Sequence, residues 1–509
     1  MAGVFGGVVV GAAEVKVGSP ASAVSADRPN IVFLLADDLG YGDVSSNNPK
    51  GKIPTPGIDR LAREGMRFTD AHSASAVCSP TRYGLLTGRY PWRTRLQRGV
   101  LKIGKRKMPD GTEKFGDAPL IAEDVLTVPE FLKENGYDTA MVGKWHLGFW
   151  YELPEGAQIL PGKKPMQRAA PVGTRVIDGP ITRGFDFFRG FHHAGEMCTW
   201  IEQDKVTENL KSAEEMLPRI TKASVDYILD PARRKRPFFL YVPFNSPHAP
   251  IVPTAKWRGK SGINAYADYM METADAVGQI LDALDQAGLA RNTLVVFTAD
   301  NGTSPKANFA QLHAAGHDPV GGLRGHKADA WDGGHRVPYF VRWPGVVKPG
   351  SVTSELVCHN SLLATSAEIL GKILPKSAAP DSFSILPVLK GETPEHPTHP
   401  VVIQASNRGC FAIRQGKWKF IACKGSGGWS KGDDGKPAQL YDMSRDIAER
   451  RNLLDEKPEI VARMKALLEK AVNDGHTVPG KSGVNDVKVT IYKKSGSGKK
   501  RKPKGRKTK

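Results

Sequence analysis

Residues 30–40 read Asn-Ile-Val-Phe-Leu-Leu-Ala-Asp-Asp-Leu-Gly. The apolar run from Ile31 to Ala36 has no polar face, the pattern of a strand covered by helices on both sides of a parallel sheet. Phe238 to Phe244 and Leu294 to Thr298 have the same character. Between them Ala265 to Ala287 carries the period of an amphipathic helix, and Thr127 to Asn135 reads as another. This alternation predicts an α/β fold with a large doubly wound, mostly parallel sheet flanked by helices. Functional groups in such sheets gather at the carboxyl ends of strands, so the residues just after each apolar run are the candidates for chemistry.

Around that frame, the chain of 509 residues is 40% hydrophobic and 25% charged. This ordinary composition excludes collagen-like, disulfide-scaffold and wholly disordered classes. No run approaches the roughly 20 apolar residues that span a bilayer, so no transmembrane segment is expected. Residues 1–26 form a leader with a short apolar core from Val4 to Ala13 and small residues at Val24-Ser25-Ala26. They read as a possible signal peptide, which implies an exported, periplasmic or extracellular protein. No Lys or Arg precedes the apolar core, so a plain flexible leader on a cytoplasmic protein is the other reading. A catalytic domain is expected over 27–385, before a stretch rich in Pro, Ser and Thr. Residues 400–480 predict a smaller C-terminal α+β domain with an antiparallel sheet. Its hairpin joins Phe411–Ile413 to Trp418–Ile421, Leu440–Met443 adds a strand, and Ile460, Val461, Met464, Leu467, Leu468 and Ala471 share one helix face.

Lys+Arg exceed Asp+Glu by 72 to 53, and ten of the nineteen net positive charges lie between Lys493 and Lys509. The 481–509 tail is therefore basic and expected to be disordered. It would attract an anionic polysaccharide or surface in a salt-dependent way, which supplies a non-enzymatic alternative, a polyanion-binding protein. Its last seventeen residues hold no aromatic side chain on which bases could stack, so specific nucleic-acid recognition is not expected.

Two strand ends carry hard oxygen ligands: Asp37 and Asp38 follow the first run, and Asp300 and Asn301 follow Thr293–Ala299. Three carboxylates and an amide suit a divalent cation such as Ca2+. Either cluster alone would equally serve as a helix cap or turn. A separate segment, Val77-Cys78-Ser79-Pro80-Thr81-Arg82, leads into a helix-like stretch ending at Gly88-Arg89.

That segment resembles the Cys-x-Pro-x-Arg signature of the type I (formylglycine-dependent) sulfatases, arylsulfatase-like members of the alkaline phosphatase superfamily. Gly136 to His146, ending Gly-Lys-Trp-His, is similar to a second block of the family. So are Arg183-Gly184-Phe185-Asp186, Ser246-Pro247-His248-Ala249-Pro250, Leu323 to Lys327 and Trp331 to Pro338. The resemblance runs from about Arg28 to Lys470. It implies that Cys78 is oxidised to formylglycine by a separate maturation enzyme and that its hydrate joins Asp37, Asp38, Asp300 and Asn301 around Ca2+. One hydroxyl would attack sulfur, giving a sulfoenzyme, and the other would expel sulfate. His146 would be the base for that expulsion, Arg82 would anchor the nucleophile, and Lys144, His248 and Lys327 would bind the sulfate. His248 or Lys327 would protonate the leaving oxygen. The expected activity is hydrolysis of sulfate esters, on a sulfated small molecule or saccharide. The alternative within the superfamily is a phosphodiester or phosphonate monoester hydrolase.

The chain departs from the family at Ser361, where an Asp is common, and no counterpart is evident for a further sulfate contact from a variable loop. Residues 150–200, with Lys163, Lys164, Arg168, His192, His193 and Glu196, and residues 303–322 are expected to border the pocket. His72, His192, His193 and His335 are expected to serve packing or surface. Among the five cysteines, a two-residue loop at Gly416-Lys417 would set Cys410 opposite Cys423, within reach of a disulfide. A turn at Gln415-Gly416 would separate them, and free buried thiols are the default.

Overall fold

The computed structural model describes residues 28–159, 169–393 and 395–492. The leader, residues 493–509 of the tail expected over 481–509, and Lys163, Lys164 and Arg168 lie outside the described residues. The expectation of disorder fails for residues 481–492, where Asp486 pairs with Arg89 at 2.7 Å and Asn485 accepts from Arg93 at 2.9 Å. The first apolar run forms β1 (Asn30–Asp37), buried along its whole length. Its side chains divide by parity: Ile31, Phe33 and Leu35 enter one apolar core, and Val32, Leu34 and Ala36 the other. An unbroken apolar strand is stable only where both faces leave water, each large side chain then contributing about 1.5–3 kcal/mol.

Three more strands are added by β2 (Asp138–Lys144), β3 (Phe187–Phe191) and β4 (Phe238–Pro247), and a fourth by β5 (Thr293–Ala299). Their order in space is β5-β1-β4-β2-β3, with every neighbouring pair parallel. Helix α1 (Cys78–Thr87) sends Leu85 and Leu86 into one core. Helices α2 (Met216–Leu229) and α3 (Ala265–Gln286) cover the opposite face through Leu217, Ile220, Met270, Val277 and Leu281. This is the doubly wound arrangement, and it is wider than the parallel centre. Among the described residues the sheet has fourteen strands, with β6 (Tyr339–Arg342) antiparallel to β5 on one side and antiparallel ribbons from Thr199–Glu202 out to Gly104–Lys107 on the other.

The C-terminal sheet is an antiparallel meander of β7 (Val402–Ala405), β8 (Phe411–Gln415), β9 (Trp418–Ile421) and β10 (Gln439–Asp442). Helix α4 (Pro458–Asp474) buries Val461, Met464, Leu468, Ala471 and Val472 in one core with β-strand residues such as Phe411, Phe420 and Leu440, while Ile460 and Leu467 sit at its margin. Gln415 faces Trp418 across the two-residue loop Gly416-Lys417, and Gly416 has φ 51°. That pairing seats the turn at Gly416-Lys417, where glycine takes the left-handed φ without strain, and carries the register to Cys410 and Cys423. These two form a disulfide with Cα atoms 5.9 Å apart. The expectation of free buried thiols therefore fails for this pair and holds for Cys78, Cys198 and Cys358.

Candidate active site

The carboxyl ends of four adjacent parallel strands meet on one edge of the sheet, where β1 ends on Asp37 and the chain turns at Asp38 with φ 65°. Beyond β5 come Asp300 and Asn301, β2 ends on Lys144, and β4 leads to His248. His146 also holds a left-handed backbone, φ 55°. Such conformations cost a non-glycine residue of order 1–3 kcal/mol and persist where the surroundings impose them. Gly143 is required for a different reason: a Cβ there would stand 2.1 Å from the Pro243 carbonyl oxygen, so only glycine lets β2 deliver Lys144 this close to β4.

Cys78 is the first residue of α1, all of whose residues are buried. Its Sγ lies 3.5 Å from Asp37 Oδ1 and 3.7 Å from Lys327 Nζ. One helical turn on, Arg82 donates from Nε and Nη2 to Asp300 Oδ2 at 3.2 and 2.8 Å, and from Nη1 to the Lys144 carbonyl at 2.9 Å. The Lys144 ammonium contacts Asp37, and that of Lys327 contacts Asp38. Asn301 Nδ2 donates to Asp38 Oδ1 at 2.8 Å, and His248 Nε2 lies 3.5 Å from Asp38 Oδ2. His146 borders the same space through its own cavity contact, so every residue named from the sequence for catalysis or metal binding is brought to one place.

The charges are tightly balanced. Burial alone would raise the Asp37 carboxyl, but Lys144, His248, Arg82 and Lys327 hold it well below the usual carboxylate range. Asp300 goes the other way, pushed up to about 6 by burial and by the neighbouring Asp37. Burial, with Asp300 beside it, raises the Cys78 thiol far enough that the unmodified side chain is a neutral thiol near pH 7. His146 is held neutral by burial and by Lys144. Its Nε2 faces the Leu101 carbonyl at 3.2 Å, and a carbonyl only accepts, so Nε2 carries the proton and Nδ1 the lone pair.

The oxygen donors among these residues, three carboxylates and the Asn301 amide oxygen, fit a hard divalent cation. Ligand atoms of Asp37, Asp38, Cys78 and His248 all lie within 4.8 Å of one another. Asn301 Oδ1 is buried without a hydrogen-bond donor among the described residues, although its amide nitrogen is fully engaged. A buried amide oxygen left in this way beside three carboxylates is a ligand in waiting for a cation.

A cavity of about 440 Å³ opens above Cys78, Lys144, His146, His248 and Lys327. Its walls include Leu101, Lys102, His193, Asn407 and Trp429. Of the stretches expected to border it, 150–200 does so through His193, Ala194 and Gly195. Residues 303–322 do not: His317 instead pairs with Asp43 at 3.1 Å, which ties that segment to the loop after β1. Leu101 carries no sequence signal because its contribution is backbone, its N–H donating to Ser79 Oγ at 3.2 Å and its carbonyl meeting His146. Asn407 and Trp429 come from the C-terminal unit and are joined to the site only by the tertiary fold.

Residues 29–372 match the family model described as Sulfatase. The chain belongs to the sulfatase family. It is a sulfuric ester hydrolase of the alkaline phosphatase superfamily, and its relatives cover most of its length. It is 32% identical to the N-acetylgalactosamine-6-O-sulfatase of Bacteroides thetaiotaomicron, over 87% of this chain and 93% of that one. It is 34% identical to human arylsulfatase A, over 90% of each. A solved structure from the metabolism of multiple glycosaminoglycans by Bacteroides thetaiotaomicron superposes with TM-score 0.72 at 29% identity, over 87% of this chain and 99% of that one.

Outside its cavity the sulfatase has a second cluster of ligand type, His72, Asp332 and His335. Here Lys419 Nζ lies 2.6 Å from Asp332 and 2.7 Å from Glu449. His72 and His335 meet through their Nδ1 atoms at 3.0 Å, and Asp70 holds His72 Nε2 at 2.8 Å. The cluster joins β9 to the short helix Asp332–His335 and to the two-stranded pair of Ala71–His72 with Val357–Cys358, so both histidines are buried in a structural network. Ser361 is likewise structural, its Oγ donating to the Cys358 carbonyl at 2.6 Å and pairing with His399 at 3.0 Å.

Proposed function

We propose that this sulfatase cleaves sulfate esters of a saccharide through an oxidised Cys78. The observation that carries the reading is the position of Cys78, at the buried start of α1, between Asp37 and Lys327 on the cavity floor. Once oxidised and hydrated, residue 78 would supply a gem-diol: one hydroxyl would attack sulfur and displace the sugar alcohol, and deprotonation of the other would break the C–O bond to the sulfated oxygen, releasing sulfate and restoring the aldehyde. Asp37, Asp38, Asp300, Asn301 and residue 78 would hold the Ca2+ that polarises the sulfuryl group.

The other groups act on charge and protons. Lys144 and Lys327 stand over the carboxylates and place positive charge where the sulfate oxygens gain negative charge in the transition state. Arg82 fixes Asp300 and the Lys144 carbonyl in one fork, which orients both the cation ligands and the lysine. His146, neutral with its lone pair on Nδ1, accepts the proton released as sulfate is expelled. His248 and Lys327, both on the cavity wall, are the candidate donors of a proton to the departing oxygen. The saccharide reading is supported by the N-acetylgalactosamine-6-O-sulfatase at 32% identity. Export, and with it an oxidising compartment, is supported by the Cys410–Cys423 disulfide. Among the described residues no helix is long and apolar enough to cross a membrane.

Protein co-expressed with a formylglycine-generating enzyme tests the reading, with sulfate and phosphate release followed in parallel. The substrates are an aryl sulfate, sulfated hexosamines and an aryl phosphodiester. Sulfate release from aryl sulfate and at least one hexosamine is expected, with phosphate release lower by about 10³-fold or more. Faster phosphate release would move the chain to the phosphodiester and phosphonate branch. Sulfate release confined to the aryl ester would end the saccharide assignment.

A further inference from the structure

Trp429 is 45% exposed, unusual for the largest apolar side chain, and it lies on the cavity wall. Its backbone is held firmly. Asp329, fully buried, accepts from the Trp429 N–H at 2.8 Å and the Ser430 N–H at 3.0 Å, and also takes the Ser430 hydroxyl. Ser426 Oγ accepts from the Gly428 N–H and donates to the Ser430 carbonyl, at 3.0 and 2.9 Å. The Ala330 N–H reaches the Ser426 carbonyl at 2.7 Å. Gly428 lies so close to this strap that a Cβ would stand 2.1 Å from the Ala328 carbonyl oxygen. The neighbouring Gly427 is wedged against the Cys410–Cys423 bridge, where a Cβ would come within 2.5 Å of Cys410 Cβ.

The clamp uses residues 328–330, which directly follow Lys327. The loop that carries Trp429 is therefore hydrogen-bonded directly to the segment that follows the lysine on the cavity floor. Lys327 Nζ is 6.0 Å from the indole centroid and 3.7 Å from Cys78 Sγ. The indole therefore stands on the wall of the same cavity whose floor holds Cys78. A rigidly presented, half-exposed indole at the wall of a polar-floored cavity is the arrangement of a binding anchor. Its flat apolar face matches the C–H face of a pyranose ring and loses little conformational entropy when covered.

We propose that Trp429 is a substrate-binding residue, the platform against which the sugar ring bearing the scissile sulfate stacks. Asp329 is its positioning residue. The proposal rests on the saccharide reading above and adds to it the residue that selects for a ring with an apolar face. Lys102 and Asn407, on the same cavity wall, leave polar groups near the ring's edge.

The test is steady-state kinetics of matured wild type, Trp429→Ala and Trp429→Phe on N-acetylgalactosamine 6-sulfate and glucosamine 6-sulfate, with thermal unfolding of each. Aryl sulfates are unsuitable for this comparison because a flat aryl ring would stack on the same indole. Trp429→Ala is expected to raise KM about tenfold with kcat within about twofold, and Trp429→Phe to recover most of the difference. An unchanged KM in Trp429→Ala would overturn the platform while leaving the saccharide reading intact. So would a fall in kcat at constant KM, the signature of an indole that merely steadies Lys327. If wild type cleaves aryl sulfate and neither sugar, the saccharide reading fails first and takes the platform with it.

Discussion

Cys78→Ser is expected to abolish multiple turnover of sulfate esters, with a loss on the order of 10⁶-fold, without unfolding the protein. The exchange places a hydroxyl of similar size at a buried position whose neighbours are Asp37 and Lys327, so no large cavity and no new charge is created. A serine hydroxyl can still attack sulfur and expel the alcohol. The product, a serine sulfate ester, has no second hydroxyl on Cβ with which to release sulfate, and His146 has no proton to remove. At most one alcohol per enzyme should appear, with no free sulfate, and the peptide containing residue 78 should gain one sulfuryl group by mass. Continued sulfate release at the wild-type rate would show that residue 78 is not the nucleophile.

Arg82→Ala is expected to be nearly as damaging and to act on stability as well. Arg82 is fully buried and is the only side chain that binds Asp300 Oδ2 through two donors while also holding the Lys144 carbonyl, among the described residues. Removing it leaves Asp300 and Asp37 enclosed with less compensating charge, a situation that costs about 3–5 kcal/mol. Turnover should fall by about 10²–10³-fold through misplacement of Lys144 and the cation ligands. Arg82→Lys keeps the charge and loses the planar fork, so it should recover part of the melting temperature and little of the activity. The two effects separate by measuring thermal unfolding and kcat/KM on the same preparations. Wild-type melting and wild-type turnover in Arg82→Ala would contradict the role given to the fork.

The parts of this molecule that are readable in the sequence are those where one residue type is forced by local physics. β1 is visible because both of its faces are covered, which leaves no position for a polar side chain from Ile31 to Ala36. Asp37, Asp38, Asp300 and Asn301 come from the rule that ligands gather at strand ends, and the motif blocks add Cys78, Arg82, Lys144, His146, His248 and Lys327. The outer antiparallel strands are not legible. Arg175–Ile177 and Gly104–Lys107 are too short and too exposed for a hydrophobic period to show, and only neighbouring strands define them. Leu101 acts through its backbone, which constrains no side chain. Trp429 is distant from the catalytic motifs in sequence, and only the clamp on Asp329 reveals where it points. The Cys410–Cys423 pairing depends on a turn that could close at either of two adjacent positions, and the pairing of Gln415 with Trp418 decides it.

The most direct test of an oxidised Cys78 as the reacting group is to measure sulfate release against the fraction of residue 78 present as aldehyde, in preparations co-expressed with graded amounts of maturation enzyme. The aldehyde fraction is read by mass spectrometry of the peptide containing residues 78–82. Turnover per protein molecule should rise in proportion to that fraction and extrapolate to zero for the fully thiol form. Turnover independent of the aldehyde fraction, or substantial in protein that carries only the thiol, would contradict an oxidised Cys78 as the nucleophile.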